Sequence, residues 1–181
     1  MDHEWIKLSV MYYFRFVRGF PIVVSEINMP NRVGYHEYFT LDGGRADVLA
    51  INQNLVAYET EVKTSLEDFN RDKKKQKHHN YRMKNQYSPN YFYYAVPEKI
   101  MNEIYPLVKS PYGLMVVKQG YLGDVRIIKK AQRLLGKIPE EFMKNIYQRL
   151  SAENIRLREE LLRREVRIRQ LKQEAKRGSK E

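Results

Sequence analysis

The sequence predicts an α/β fold in which helices flank a mixed central sheet, followed by a long C-terminal helix. Over residues 1–136, segments rich in β-branched and aromatic residues alternate with segments of helical periodicity, a pattern typical of layered strands and helices. Residues 91–96 form an uninterrupted apolar run that suits a strand buried on both faces. After Pro139 no proline or glycine occurs before Gly178, which predicts a second region, residues 137–181, built on one helix.

The first predicted element is a helix over residues 2–18, which Gly19 and Pro21 end. Apolar residues recur on one side of it at helical spacing: Trp5, Leu8, Tyr12 and Phe16. A face this wide is expected to pack on a sheet. Strands are predicted over residues 21–27 and 35–41, and the second of them runs into a glycine-rich turn.

The next two strands are predicted to form a hairpin. Asp47 heads an apolar run, a short polar turn follows, and a second run ends in Glu61, Val62 and Lys63. Because side chains alternate between the two faces of a strand, Glu59, Glu61 and Lys63 point one way and Val62 points the other. The end of the hairpin away from its turn should therefore bring Asp47 beside Glu61 and Lys63.

Two carboxylates that converge in this way repel each other unless a positive charge lies between them. Their hard oxygen atoms suit a divalent cation such as Mg²⁺ or Mn²⁺, and a neighbouring lysine can orient a water or stabilise an oxyanion. Together these groups favour metal-assisted hydrolysis of a phosphodiester. The competing interpretation is a solvated ion pair, because Glu-x-Lys often occupies the exposed face of a half-buried strand.

A wider pattern surrounds these residues. Gly-Arg-Ala-Asp47, the apolar strand with its turn, and Tyr-Glu-Thr-Glu61-Val-Lys63-Thr-Ser resemble the core of the PD-(D/E)XK nuclease superfamily, which is restriction-endonuclease-like, with Ala46 in place of the proline. Residues 66–73 and 91–97 look most like the MmcB-like DNA repair branch of that superfamily. The resemblance covers about residues 42–98.

The resemblance implies a function and a set of site residues. Asp47 and Glu61 would bind Mg²⁺ or Mn²⁺ with the Val62 carbonyl as a further ligand, and Lys63 would assist the attacking water. Members of the superfamily often have an additional acid from the first helix or strand. Glu26 is the candidate here, with an exposed glutamate at a strand end as the alternative.

Two functions are therefore expected. The first is a metal-dependent nuclease that acts on DNA in repair, recombination or phage DNA processing, with recognition of structure or backbone rather than sequence. Some members of the superfamily lack activity. The alternative is thus a catalytically silent nucleic-acid-binding scaffold that recruits a partner through the C-terminal helix.

A strongly basic segment follows the hairpin. A helix is predicted from a cap at Thr64 or Ser65 to about Tyr81. The predicted nucleic-acid contacts are Arg71, Lys73, Lys74, Lys75, Lys77, Tyr81, Arg82 and Lys84. Lys77 and Tyr81 are one turn apart and share a helix face, which resembles a motif of exonuclease-like members. Because the segment directly follows the proposed metal site, we favour contact with a phosphate backbone over a merely solvated face.

Composition favours a polyanionic partner. The net charge is +11 over 181 residues, so DNA is expected, with RNA left open. The absence of cysteine excludes disulfides and thiolate zinc sites. The N-terminus is acidic, and Arg15 and Arg18 interrupt the longest apolar runs, so neither a secretory signal nor a membrane span is expected. We expect a cytoplasmic protein of prokaryotic or phage origin.

The rest of the first region completes the sheet. Residues 98–105 predict a short helix that follows Pro97, and residues 114–117 and 125–128 predict a closing hairpin. Glycines between the last two segments favour a turn there.

The C-terminal helix carries a heptad pattern. Its a and d positions are Tyr147, Leu150, Leu157, Leu161, Ile168, Leu171 and Ala175, with Asn154 and Arg164 as exceptions. This predicts a coiled-coil homodimer in which Asn154 pairs with its twin in a parallel arrangement. The alternatives are a single helix folded back on the first region and a solvated basic helix, and residues 176–181 are expected to form a disordered tail.

Overall fold

The computed structural model describes residues 1–30, 44–81, 87–136 and 138–178. The chain divides into two compact units, Met1–Pro139 and Glu140–Glu181. The strand predicted over residues 35–41 lies outside the described residues. No helix in the described ranges has an apolar stretch long enough to span a membrane.

A mixed sheet of six strands organises the first unit, and among the described residues its strands are neighbours in chain order. The strands are β1 (Ile22–Asn28), β2 (Arg45–Ile51), β3 (Ala57–Val62), β4 (Tyr91–Pro97), β5 (Gly113–Val117) and β6 (Val125–Lys129). An antiparallel meander joins β1, β2 and β3; β4 and β5 continue parallel to β3; and β6 returns antiparallel to β5. The predicted α/β class with a mixed sheet is confirmed.

Helices cover this sheet, and one long helix makes up the second unit. Their bounds are α1 (His3–Tyr12), α2 (Leu66–Asp72), α3 (Gln76–Asn80), α4 (Met101–Ile104) and α5 (Glu140–Gly178). The Asp2 side chain caps α1 by accepting a hydrogen bond from Trp5 N–H at 2.7 Å. A π-helical stretch at Tyr13–Val17 continues α1, which confirms the helix predicted over residues 2–18.

The single helix predicted from Ser65 to about Tyr81 is wrong. Ser65 does cap α2, since its Oγ accepts a hydrogen bond from Asp68 N–H at 3.1 Å. The helix is then interrupted, because Lys75 has an extended backbone (φ −66°, ψ 140°) immediately before α3. After this interruption Lys77 and His78 are buried. The sequence did not predict their burial, because charged residues are usually exposed.

Two apolar clusters cover the two faces of the sheet. On one face Ile6 of α1 packs in a cluster with Val62 of β3. The other face carries an aromatic cluster that includes Phe69 of α2 with Phe92 and Tyr94 of β4. Burial of such side chains contributes roughly 25 cal/mol per Å² of apolar area. The central strands are thus buried on both faces, as the apolar run at residues 91–96 predicts.

Candidate active site at the end of the third strand

β3 and the residue that follows it place three charged side chains on one face of the sheet. Glu59, Glu61 and Lys63 contact residues of α2 and α3, while Tyr58 and Val62 pack in the α1 cluster. The alternation predicted from the sequence is confirmed. All three charged side chains are buried, with Glu61 only 2% exposed. The interpretation of Glu61 and Lys63 as a solvated surface pair is therefore wrong.

Asp47 lies against the peptide that follows Glu61. Its Oδ2 accepts a hydrogen bond from Val62 N–H at 2.7 Å, and its side chain is 15% exposed. The register of the hairpin pairs Val48 with Thr60, so one further step sets Asp47 opposite Glu61. The structure thus places the predicted Asp47 at the end of β3, where its carboxylate binds the backbone N–H of Val62.

Lys77 of α3 lies between the two glutamates of β3. Its Nζ is 3.1 Å from Glu59 Oε1 and also donates to Glu61 Oε1. Tyr81, one turn further on, donates its hydroxyl to Glu59 Oε2 at 2.5 Å. Burial, and then the Glu59 charge, raise the pKa of Tyr81, so the hydroxyl keeps its proton. Lys77 and Tyr81 share a helix face as predicted, and in the structure that face contacts β3.

Asp72 connects α2 and α3 with the end of β3. Its Oδ1 is 3.1 Å from Lys63 Nζ and 2.6 Å from Lys75 Nζ, and its Oδ2 is 2.8 Å from His78 Nε2. His78 Nδ1 lies 3.1 Å from the Tyr112 hydroxyl. Burial acts to raise the pKa of Asp72, but the His78 hydrogen bond and the two lysines outweigh it and hold that pKa well below its usual range. Asp72 thereby fixes Lys63 in position.

Glu26, the candidate third carboxylate, lies beside Asp47 in the register of β1 and β2. The residues on either side of these two are paired between the strands, so Glu26 and Asp47 fall at the same level of the sheet. Glu26 has a left-handed backbone (φ 54°), and its carboxylate binds Lys7 at 2.7 Å and also Arg45. Within the described ranges, no group of three or more histidine or acidic side chains is arranged to hold a metal.

Comparison with known proteins identifies the family. The model of a family described as DNA repair protein MmcB-like matches residues 18–160. The chain belongs to the MmcB-like DNA repair protein family. This description indicates a DNA-related role for the chain, and the match extends beyond residues 42–98, which carry the resemblance in the sequence.

A solved structure shares the fold of this MmcB-like protein. It is SPO1766, a protein of unknown function from Silicibacter pomeroyi, with 21% sequence identity and a TM-score of 0.57. The alignment covers 86% of this chain and 88% of that one. No match was found among curated proteins.

The residues predicted to contact nucleic acid fall into three groups in the MmcB-like chain. Those exposed on α2 and its connection to α3 are Arg71, Lys73, Lys74 and Lys75. Lys77 and Tyr81 are buried against the glutamates of β3, and Arg82 and Lys84 lie outside the described residues. Contact with phosphate therefore stays a prediction. The exposed group lies where such contact is expected, because one of its members, Lys75, binds Asp72 at the site.

The donor atoms at the end of β3 fit a hard divalent cation in their chemistry. Asp47 and Glu61 are carboxylates and Val62 supplies a carbonyl, the oxygen ligands that Mg²⁺ and Mn²⁺ prefer. In the structure Lys63 and Lys77 bind the two oxygens of Glu61, so a cation at Glu61 would replace part of this lysine charge. The MmcB-like site thus combines oxygen ligands for a metal with lysines that balance the same carboxylate.

Sequence reasoning missed Glu59, Asp72 and His78 as members of the site. The alternation of β3 places Glu59 on the same face as Glu61, and this pattern could have identified Glu59 as part of the site. Asp72 lies three residues after the buried Phe69 and so shares its helix face. His78 has no such signal, because its position depends on the break before α3.

Proposed function

We propose that this MmcB-like protein is a Mg²⁺- or Mn²⁺-dependent nuclease that hydrolyses DNA phosphodiester bonds. The observation that carries the proposal is the hydrogen bond from Val62 N–H to Asp47, which holds one acid against the segment that bears Glu61 and Lys63. The order of elements supports a PD-(D/E)XK core, since a helix, an antiparallel meander, a helical segment and a strand parallel to β3 follow one another.

Each residue of the site has a role in this proposal. Asp47 and Glu61, with the Val62 carbonyl and with Glu26 as the candidate further acid, would hold the cation. The cation would supply an activated water and neutralise charge on the phosphate. Lys63, fixed by Asp72 at 3.1 Å, would orient the attacking water or stabilise the negative charge that develops on the phosphate oxygens.

The charge distribution supports DNA as the substrate. The chain carries a net charge of +11, and the exposed lysines between α2 and α3 adjoin the site through Lys75 and Asp72. A phosphate backbone bound there would release counterions and pass the end of β3. Among the residues that the structure describes, no pattern favours contact with base edges, so cleavage is expected to depend on DNA structure rather than sequence.

Cleavage of a panel of labelled DNAs tests the proposal. Single strands, duplexes, flaps and four-way junctions are incubated with Mg²⁺ or Mn²⁺ and either the native protein or the Glu61→Gln and Lys63→Gln variants. Cutting that requires metal and falls by orders of magnitude in both variants is the expected result. Glu103→Gln, which changes an exposed glutamate, is the matched control and should cut like the native protein.

A second candidate is a catalytically silent scaffold that binds DNA. The contact that favours it is the one between Lys77 and Glu61, since buried lysines balance this carboxylate without a cation. A scaffold would bind the same DNA panel equally well with EDTA and with Mn²⁺, and would cut none of it. DNA binding without cutting in any metal would therefore favour the scaffold over the nuclease.

A further inference from the structure

A cavity of about 190 Å³ adjoins the site on the α2 and α3 side of the sheet. Its walls are formed mainly by Phe69, His78, Tyr94 and Tyr112, and Lys73 and Lys109 lie at its edge. Pockets for drug-sized ligands are usually larger, about 300–1,000 Å³. The cavity therefore suits one small group rather than a whole cofactor.

The walls are flat aromatic surfaces with fixed polar atoms. The rings of Phe69 and Tyr94 meet edge to face at 4.8 Å, and those of His78 and Tyr112 are 5.3 Å apart. His78 is held by Asp72 at 2.8 Å and by the Tyr112 hydroxyl at 3.1 Å. Burial raises the pKa of Tyr94, so its hydroxyl stays protonated. These four side chains are at most 5% exposed in the structure, so a ligand would meet their rings and their fixed hydrogen-bonding groups only after the side chains at the cavity edge move aside.

The edge of the cavity is cationic. Lys73 and Lys109 are both exposed, and Lys73 Nζ lies 4.5 Å from the centroid of the Phe69 ring. Two cations beside an aromatic cavity favour a ligand that joins a flat ring to negatively charged groups on either side. The same cavity wall reaches the candidate active site, because His78 and Lys63 both bind Asp72.

We propose that this cavity receives a single unpaired nucleobase of a DNA strand whose phosphates contact Lys73 and Lys109. The proposal rests on the DNA-binding part of the proposed function and narrows its substrate to DNA with an unpaired base, such as a flap, a mismatch or a frayed end. Bases that leave the stack are commonly held in tight pockets between aromatic side chains. Stacking on such rings is largely independent of sequence.

Binding in EDTA tests this independently of cleavage. The probes are one duplex with a single unpaired thymine and the same duplex fully paired. Native protein should bind the unpaired form about tenfold more tightly. Leu107→Trp, which places an indole at the cavity wall, should remove the preference and leave binding of the paired duplex unchanged. Leu135→Trp, at an exposed position that does not line the cavity, should keep it.

Permanganate oxidation supplies a readout that needs no variant. The unpaired thymine should become protected when native protein binds. Equal affinity for the two duplexes, an unprotected thymine, or a preference that survives Leu107→Trp would overturn the proposal. If the protein prefers the unpaired duplex but cuts no DNA in any metal, the cavity proposal stands and the nuclease proposal is refuted. If paired and unpaired DNA are bound alike and cut alike, the nuclease proposal stands and the cavity proposal is refuted.

The long helix carries a second, independent inference. The a and d residues that α5 exposes are Tyr147, Leu157, Leu161, Ile168 and Leu171. In a parallel pair of helices each of these positions meets its own copy. Arg164 at d would then face a second Arg164, and Glu160 at g would face Glu165 at e of the partner copy. A parallel pair thus places like charges together at its seam.

An antiparallel pair separates the two copies of Arg164 and takes Glu160 away from Glu165, because each a position then meets a d position. The apolar layers become Tyr147 with Leu171, Ile168 with Leu150, and Leu161 with Leu157. The two polar exceptions, Asn154 and Arg164, fall in the same layer, where the amide oxygen can accept from the guanidinium. At the flanking g positions Glu153 meets Arg167, once on each side of the pair. At the centre of the pair Glu160 at g and Arg158 at e each face their own copy, so the favourable contacts outnumber the like-charge contacts but do not abolish them.

We infer that α5 pairs with α5 of a second copy of this chain in an antiparallel arrangement. The register follows from the Asn154–Arg164 layer and the two Glu153–Arg167 pairs, and it differs from the parallel pairing that Asn154 alone favours. The occupant is a second copy because the pattern of layers is complementary to itself when reversed.

Disulfide trapping tests the direction, since the native chain has no cysteine. A mixture of Tyr147→Cys and Leu171→Cys proteins should form a mixed disulfide, and Tyr147→Cys alone should form little. Gln148→Cys, next to Tyr147 but off the seam, is the control for random collision. Disulfides in Tyr147→Cys alone, or a monomer by sedimentation at all concentrations, would overturn the antiparallel pair.

Discussion

Replacing Asp72 by asparagine tests the charge network that fixes Lys63. The Asp72 side chain is 0% exposed and lies within 3.1 Å of Lys63, Lys75 and His78. Asparagine keeps the shape but removes the charge, which leaves the buried Lys63 with Glu61 as its remaining carboxylate partner and His78 without a charged partner. Removing one partner of a buried pair costs about 3–5 kcal/mol. With a typical urea m-value of about 2 kcal/mol/M, the unfolding midpoint should fall by roughly 2 M.

Asp68→Asn provides a matched control in the same helix. The Asp68 side chain is 31% exposed and pairs with Arg71 at 4.0 Å, a surface contact worth about 0–1 kcal/mol. Both variants and the native protein are unfolded in urea at pH 7. A loss of stability in Asp72→Asn no larger than in Asp68→Asn would refute the role given to the buried network.

The depressed pKa of Asp72 gives the same test a pH dependence. A group whose pKa is lowered in the folded state contributes stability above its unfolded pKa, about 3.9 for aspartate, and that contribution is lost as the pH falls further. The difference between native protein and Asp72→Asn should therefore be full at pH 7 and smaller at pH 3. A difference that grows on acidification would contradict the assigned direction of the shift.

Two further predictions concern DNA contact and packing. Lys74→Gln removes an exposed cation next to the site. If Lys74 contacts one phosphate, the slope of log DNA affinity against log salt concentration should become about 0.9 less steep. An unchanged slope in a salt titration would exclude that contact. Gly113→Ala should destabilise the fold by about 1–3 kcal/mol, because a Cβ there would lie 2.3 Å from the Tyr93 ring and 2.8 Å from Ala131 N. Urea unfolding measures the loss, and native-like stability would show that β5 can shift to make room.

The local patterns of the sequence were enough to predict much of the fold. Alternation places Glu61 and Lys63 on one face of β3, and the apolar run at residues 91–96 becomes a strand buried on both sides. The heptad region becomes a helix of 39 residues. These features depend on periodicity and on turn residues, which act over short distances along the chain.

The contacts of the site could not be predicted in the same way, because they join distant segments. His78 meets Tyr112 across 34 residues, and it does so because the chain breaks at Lys75 and turns α3 inward. The buried position of Lys77 depends on two glutamates of β3 that offset the cost of removing an ammonium from water. The basic segment alone does not indicate which acidic residues elsewhere in the chain its lysines contact.

Single-turnover cleavage of a labelled flap DNA, with Mn²⁺ titrated from zero in the presence and absence of EDTA, is the most direct test of metal-dependent hydrolysis at Asp47 and Glu61. Native protein should cut with a rate that rises with Mn²⁺ and saturates, while Asp47→Asn, folded by its melting temperature, should cut orders of magnitude more slowly. Cutting that persists in EDTA, or that is unchanged in Asp47→Asn, would contradict a metal site at these two carboxylates.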